Sequence, residues 1–157
     1  MGKITFARVD SRLIHGQIVT KWAKSSGANC IYIVDDVVKN DEFSRDIYVS
    51  SGKRYGFSVK VYGLDEVLKV WEDTQFENDK VFIIFKNIET AIKSMNAGLP
   101  LPCLNLGGIP KRKGTDFFIK NVALSDDELT DLKKIATEKS VPIYAQTVPD
   151  AAKKSIS

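Results

Sequence analysis

Apolar positions along the chain follow two spacings that alternate. Short β-rich runs cover Ile4 to Val9, Cys30 to Val34, Phe57 to Tyr62, Val81 to Phe85, Cys103 to Leu106, Phe117 to Ile119 and Ile143 to Ala145. Each has the length of a strand. Between several of them the apolar residues fall three and four apart, as in Ile14, Ile18, Val19, Trp22 and Ala23, then Leu64, Val67, Leu68 and Trp71, then Ile88, Ala91, Ile92 and Met95. That spacing predicts helices with one face in a core. A further helix start is marked by Ser125-Asp126-Asp127-Glu128, a capping box leading into Leu129, Leu132, Ile135 and Ala136 and stopping before Val141-Pro142.

Strands alternating with helices predict an α/β fold with a single open, mainly parallel twisted sheet, helices on both faces and right-handed crossovers. The stretch 105–121 carries no helical pattern. The Phe117 strand is therefore expected at an edge of the sheet, with antiparallel pairing as one option. Without a repeat, a low-complexity tract or a linker, residues 1–157 read as one domain.

Composition narrows the function classes. Hydrophobic residues make up 43% and charged residues 27%, as in a globular domain, and 23 Lys+Arg against 20 Asp+Glu leave a net charge of +3. That imbalance is too small to argue for nucleic acid. The two cysteines, Cys30 and Cys103, lie in separate apolar runs, which suits buried thiols in a reducing compartment and supports neither a disulfide scaffold nor a CxxC site. The chain opens on a strand pattern, and about 18 consecutive apolar residues occur nowhere. A cytoplasmic protein is expected.

In open parallel sheets, ligands bind outside the carboxyl ends of the strands. The loops expected there are Asp10 to His15, Asp35 to Asn40, Gly63, Lys86-Asn87 and Gly107 to Gly114. One of them holds the only histidine, His15, within seven positions of Arg8, Asp10 and Arg12. Imidazole titrates near neutrality, with an ordinary pKa of about 6.5, and serves as nucleophile or base. Just inside a helix N-terminus it would sit beside backbone donors suited to a phosphate. Arg8 and Arg12 could bind phosphoryl oxygens, and Asp10 could orient the ring or hold an arginine. The same helical projection also puts His15 beside Ile18 and Val19, where it would be an ordinary core histidine. Residue types alone leave both readings open.

Other motifs carry less. Gly107-Gly108-Ile109-Pro110-Lys111-Arg112-Lys113-Gly114-Thr115 lacks the order of a nucleotide-binding P-loop and enters a strand, and no GxGxxG is present. Its basic triad is either a solvated turn or a docking surface. Asp35-Asp36 and a lone histidine give no metal-ligand spacing, and neither cysteine has a histidine to spare for activation. No metal and no cofactor are expected.

Arg8-Val9-Asp10-Ser11-Arg12-Leu13-Ile14-His15-Gly16-Gln17, with Trp22, resembles the N-terminal signature of IIB components in the mannose/fructose/sorbose family of the phosphoenolpyruvate-dependent sugar phosphotransferase system. The resemblance extends through Val34-Asp35-Asp36 with Asn40-Asp41, Asn105-Leu106-Gly107-Gly108-Ile109 with Gly114, and Ala145-Gln146-Thr147-Val148-Pro149, nearly the whole chain. It implies a phosphoryl carrier in which His15 accepts phosphate from a IIA phosphohistidine and passes it to a sugar held by membrane IIC and IID components. Arg8, Asp10 and Arg12 would serve that transfer, and no nucleic acid would be involved. It also implies a cytoplasmic protein associated peripherally with the transporter. Ser11 stands where many relatives have an acid, and Lys111-Arg112-Lys113 is denser in charge than expected. Partner docking is expected at the same edge through Lys111, Arg112, Lys113, Gly107, Gly108 and Lys86. The alternative is a noncatalytic regulator that binds a phosphorylated partner or ligand at the same loop.

Overall fold

The computed structural model describes residues 2–16 and 18–156. Gln17, the last residue of the opening motif, lies outside them, and so do the side chains of Val19 and Thr20. In chain order the elements are β1 (Lys3–Val9), a π-helical segment (Ile18–Ala23), β2 (Cys30–Val34), α1 (Asp36–Lys39), α2 (Glu42–Arg54), β3 (Ser58–Tyr62), α3 (Leu64–Thr74), β4 (Lys80–Phe85), α4 (Ile88–Asn96), β5 (Leu104–Leu106), β6 (Asp116–Ile119), β7 (Val122–Leu124), α5 (Asp126–Lys139), β8 (Ile143–Ala145) and β9 (Lys154–Ser155).

The main sheet runs β3-β2-β4-β1-β5-β8-β9. All its pairings are parallel except the last, where β9 lies antiparallel to β8. The Phe117 run does not join this sheet: β6 pairs antiparallel with β7 in a separate hairpin, bridged to the loop after β5 between Ile109 and Val122. Instead, the antiparallel edge is the short β9.

Both faces of the sheet are covered, which is why the central strands β2 and β4 read as nearly unbroken apolar runs. In β2, Cys30, Tyr32 and Val34 face one core while Ile31 and Ile33 face the other. In β4, Val81, Ile83 and Phe85 share the first face, and Phe82 and Ile84 the second. On the first face the core is closed by Val67 of α3, Ala91 and Met95 of α4, and Leu132 and Ile135 of α5. On the second it is closed by Ile18 and Trp22 of the π-helical segment and Val38 of α1. Helix starts follow the local chemistry: Asp35 accepts from Val38 N at 3.0 Å and Asn87 from Thr90 N at 2.9 Å. Ser125 and Glu128 bond reciprocally at 3.0 Å each, completing the capping box.

This topology creates a crevice. After β1 the chain turns to the second face, whereas after the neighbouring β5 it leads through the hairpin to α5 on the first. Where adjacent strands send their connections to opposite faces, the carboxyl ends leave a gap between loops.

Candidate functional site

The gap is built on Asp10, the residue that follows β1. Its backbone N–H donates to Phe85 O of β4 at 2.9 Å, while Gly107 N donates to Val9 O at 2.9 Å and Ser11 N to Gly108 O at 2.7 Å. The loops after β1 and β5 are thereby fastened to each other. Leu13 N returns to Asp10 O at 3.0 Å, and Leu13 itself adopts a left-handed conformation with φ 54° and its side chain fully buried. This tight turn brings Arg12 and His15 back over the Asp10 carboxylate.

Asp10 is wholly buried and accepts from three sides. Arg12 forks onto it, Nε to Oδ1 at 3.1 Å and Nη2 to Oδ2 at 3.0 Å, while the Arg12 backbone N–H reaches Oδ1 at 3.0 Å. Arg8 Nη2 approaches Oδ2 at 3.3 Å. His15 Nε2 faces Oδ2 at 3.6 Å, within ion-pair range but longer than a hydrogen bond. Burial alone would raise the Asp10 pKa. The contacts from His15 and Arg12 and the charge of Arg8 outweigh it and hold the carboxyl well below its ordinary range. The same hydrogen bonds raise Arg12. Asp10 is therefore ionised near neutral pH.

The two arginines differ in exposure. The Arg12 side chain is 57% exposed, whereas that of Arg8 is 1% exposed. Arg8 directs Nη1 to Asn105 Oδ1 and to Gln146 O at 3.0 Å, and Nη2 also to Thr147 O at 3.1 Å. Its guanidinium carbon lies 4.5 Å from the centre of the Trp22 ring. Burial lowers its pKa to about 10, against the raising influence of Asp10, so it keeps its charge. Gly107 and Gly108 permit this packing. A β-carbon at Gly107 would collide with the Arg8 guanidinium, and one at Gly108 would lie 2.7 Å from Asp10 Oδ1 and 3.2 Å from Arg12 Nε.

His15 is neither fully buried nor inside a helix. Its side chain is 23% exposed, and it occupies a bend before the π-helical segment. It thus stands one residue ahead of the expected helical position, since Gly16 is already helical, and it faces Asp10 as well. The core-histidine reading also fails, because the apolar positions of this segment are filled by Leu13, Ile14 and Ile18.

Beside this cluster lies a cleft of about 430 Å³ whose walls include Arg8, Ser11, Arg12, Gly108, Lys111 and Phe117. The basic triad divides over it. Lys111 lines the cleft and pairs with Asp116 at 3.3 Å. Arg112 instead turns to Glu128, at 3.2 and 2.8 Å, and to Ala123 O at 3.2 Å, so it ties the loop to the start of α5. Lys113 is exposed, as is Lys86 at the end of β4. Asp35 caps α1 and Asp36 accepts from Leu64 N at 2.8 Å. Asn105, Gln146 and Thr147 were not singled out as site residues by sequence reading, although a buried asparagine inside the apolar run Leu104-Asn105-Leu106 is a detectable signal.

The geometry has clear relatives. The family model of the PTS system sorbose subfamily IIB component matches residues 4–157. The N-acetylgalactosamine-specific phosphotransferase enzyme IIB component 1 of Escherichia coli is 30% identical over 98% of this chain and 96% of its own length. The crystal structure of manxB from Thermoanaerobacter tengcongensis superimposes with a TM-score of 0.91 at 41% identity, covering 99% of this chain and 93% of that one. A longer relative, the mannose-specific EIIAB component of Escherichia coli, is 25% identical over 84% of this chain, which corresponds to 41% of its length. The chain belongs to the sorbose subfamily of IIB components of the phosphotransferase system, a family of phosphoryl transfer in sugar uptake.

Proposed function

We propose that His15 is the phosphoryl carrier, accepting phosphate from a IIA phosphohistidine and passing it to a sugar bound by membrane IIC and IID components. The observation that supports this most is the Asp10 carboxylate facing His15 Nε2 at 3.6 Å, since it sets a negative charge beside one ring nitrogen and favours the other as the nucleophile. A proton on Nε2 turned toward Asp10 leaves the Nδ1 lone pair for phosphorus. In the first transfer the donor's P–N bond breaks and a bond from Nδ1 to phosphorus forms. Nε2 keeps its proton, and the positive charge that develops on the ring faces an ionised carboxylate. In the second transfer the Nδ1–P bond breaks, a P–O bond forms to the sugar hydroxyl, and the hydroxyl proton is released.

Phosphoryl transfer places charge on the equatorial oxygens, so positioned cations supply most of the stabilisation. Arg12, exposed and already oriented by Asp10, is the side chain for that task. Arg8 is a positioning residue: its terminal nitrogens are engaged by Asn105, Gln146, Thr147 and Asp10. The fused EIIAB relative supports a IIA-type donor. Among the described residues no helix is long and apolar enough to cross a membrane, in keeping with a carrier that reaches the sugar through membrane partners.

The test is to incubate the chain with phosphoenolpyruvate and the general and IIA phosphocarriers and to map the phosphate. Acid-labile phosphate on His15, abolished in a folded His15→Ala variant, is the expected result. Acid-stable phosphate on another residue, or transfer to sugar by His15→Ala, would overturn it.

A further inference from the structure

The hairpin wall of the cleft is not explained by phosphoryl chemistry. It belongs to β6 and β7, an arm between β5 and α5 that stays outside the main sheet. On it Phe117 is 58% exposed while lining the same cleft as Arg8, Arg12 and Lys111. A large ring left in water forgoes the stabilisation that burial would bring. The arm that carries it is nonetheless firmly held. Ile109 N donates to Asn121 O and Ala123 N to Ile109 O, each at 2.9 Å. Arg112 reaches Ala123 O at 3.2 Å, and Lys154 reaches Phe118 O at 3.1 Å. The ring is thus presented at little further entropic cost, with the Lys111 ammonium 5.9 Å from its centre.

We propose that Phe117 is an apolar docking anchor for the phosphoryl donor protein, seating beside the donor's phosphohistidine while Lys111 and Arg12 face the phosphoryl charge. This rests on the reading of His15 as the acceptor. Charge favours the donor over the membrane acceptor as the occupant. A phosphorylated side chain arrives with roughly −1.5 to −2 charge, complementary to Arg12 in the cleft and to Lys111 beside the ring, whose partner Asp116 it would compete with. A sugar hydroxyl arrives neutral and meets cations already facing the phosphoryl group on His15. Aromatic side chains, phenylalanine among them, and arginine are enriched at protein interfaces.

The experiment uses the full chain and two sources of phosphate. Phosphoramidate phosphorylates histidine as a small molecule: its P–N bond breaks, ammonia leaves and the imidazole–phosphorus bond forms, without protein docking. Phosphorylated IIA protein transfers only from the docked complex. In Phe117→Ala the IIA concentration giving half-maximal labelling should rise roughly tenfold or more, while the saturating rate, normalised to phosphoramidate labelling, stays at the wild-type value. Phe117→Leu, which keeps an apolar side chain on the strand, should fall between the two. Phe43→Ala removes a ring that is 74% exposed on α2 and should leave the IIA dependence at the wild-type value. An unchanged half-saturating concentration in Phe117→Ala and Phe117→Leu overturns the anchor, as does an effect confined to transfer onto the membrane components. Failure of both phosphoramidate and IIA to label the wild-type chain overturns the His15 reading, and the anchor with it.

Discussion

Two arginines share one carboxylate at the site, and their surroundings assign them different parts. Arg12 stands in the cleft mouth, so removing it takes a cation from the transferring phosphoryl group while leaving the core intact. Arg12→Ala should lower the phosphotransfer rate roughly a hundredfold or more. Its effect on stability should be small, about 1 kcal/mol, because only a partly exposed hydrogen-bonding fork to Asp10 is lost. Arg12→Lys should restore the rate in part, since an ammonium supplies charge without the planar fork. Rapid-quench transfer rates set beside thermal unfolding check this, and a wild-type rate in Arg12→Ala would remove the residue from the chemistry. At this scale the sequence was informative about which residues meet: Arg8, Asp10, Arg12 and His15 do converge. It was silent on their division of labour, because burial of Arg8 depends on Asn105, Gln146 and Thr147, brought in from two distant strand ends.

Among the elements, the central strands β2 and β4 were the most legible, since burial on both faces makes each a nearly continuous apolar run, whereas the edge strand β9, Lys154-Ser155, carries no apolar residue to mark it. Helix α2 was not legible either, and its side chains explain why. Phe43, Ile47 and Val49 are exposed, while Gly52 is buried against Val59 and Arg45 and Tyr48 are half-buried, so no apolar stripe marks its inward face. The hairpin was misplaced because Val122–Leu124 is only three residues long and gives Phe117 no visible partner in the sequence. That hairpin depends on Arg112. Arg112→Ala should lower the unfolding midpoint by about 2–4 °C, corresponding to about 1 kcal/mol in a chain of this size. It should also raise amide exchange in β6 and β7. Charge reversal across Lys111, Arg112 and Lys113 together would therefore mix lost docking charge with a loosened cleft wall. Lys111 pairs with Asp116 of the same wall, so Lys113→Glu, at an exposed position, is the variant that changes charge alone, and unfolding scans of it beside Arg112→Ala provide the check.

For the molecule as a whole, the buried carboxylate couples stability to acidity. A folded-state pKa held below the ordinary value of about 3.9 means that the folded chain binds fewer protons than the unfolded one in that range. The Asp10 contribution is thus complete above about pH 4 and is lost as pH falls through the folded-state pKa, while Arg8 titrates far above this window. Asp10→Asn should cost about 3–5 kcal/mol near neutral pH, because the buried Arg8 loses its counter-charge. The gap between variant and wild type should narrow below about pH 4, as the unfolded chain takes up a proton that the native carboxyl still lacks. Denaturant unfolding at several pH values measures it, and a gap independent of pH down to about 2 would refute the linkage.

The strand order has a consequence for time as well as for geometry. β1 is bracketed by β4 on one side and β5 on the other, with Val9 O and Asp10 N both engaged at its carboxyl end, whereas β3 and β9 lie at the margins. Amides at the sheet edges can open by local fraying, but those beneath the His15 turn are released only when the centre of the molecule comes apart. The strand end that carries the site is therefore expected to last as long as the fold itself, so that a carrier waiting between encounters keeps the base on which its loop is set.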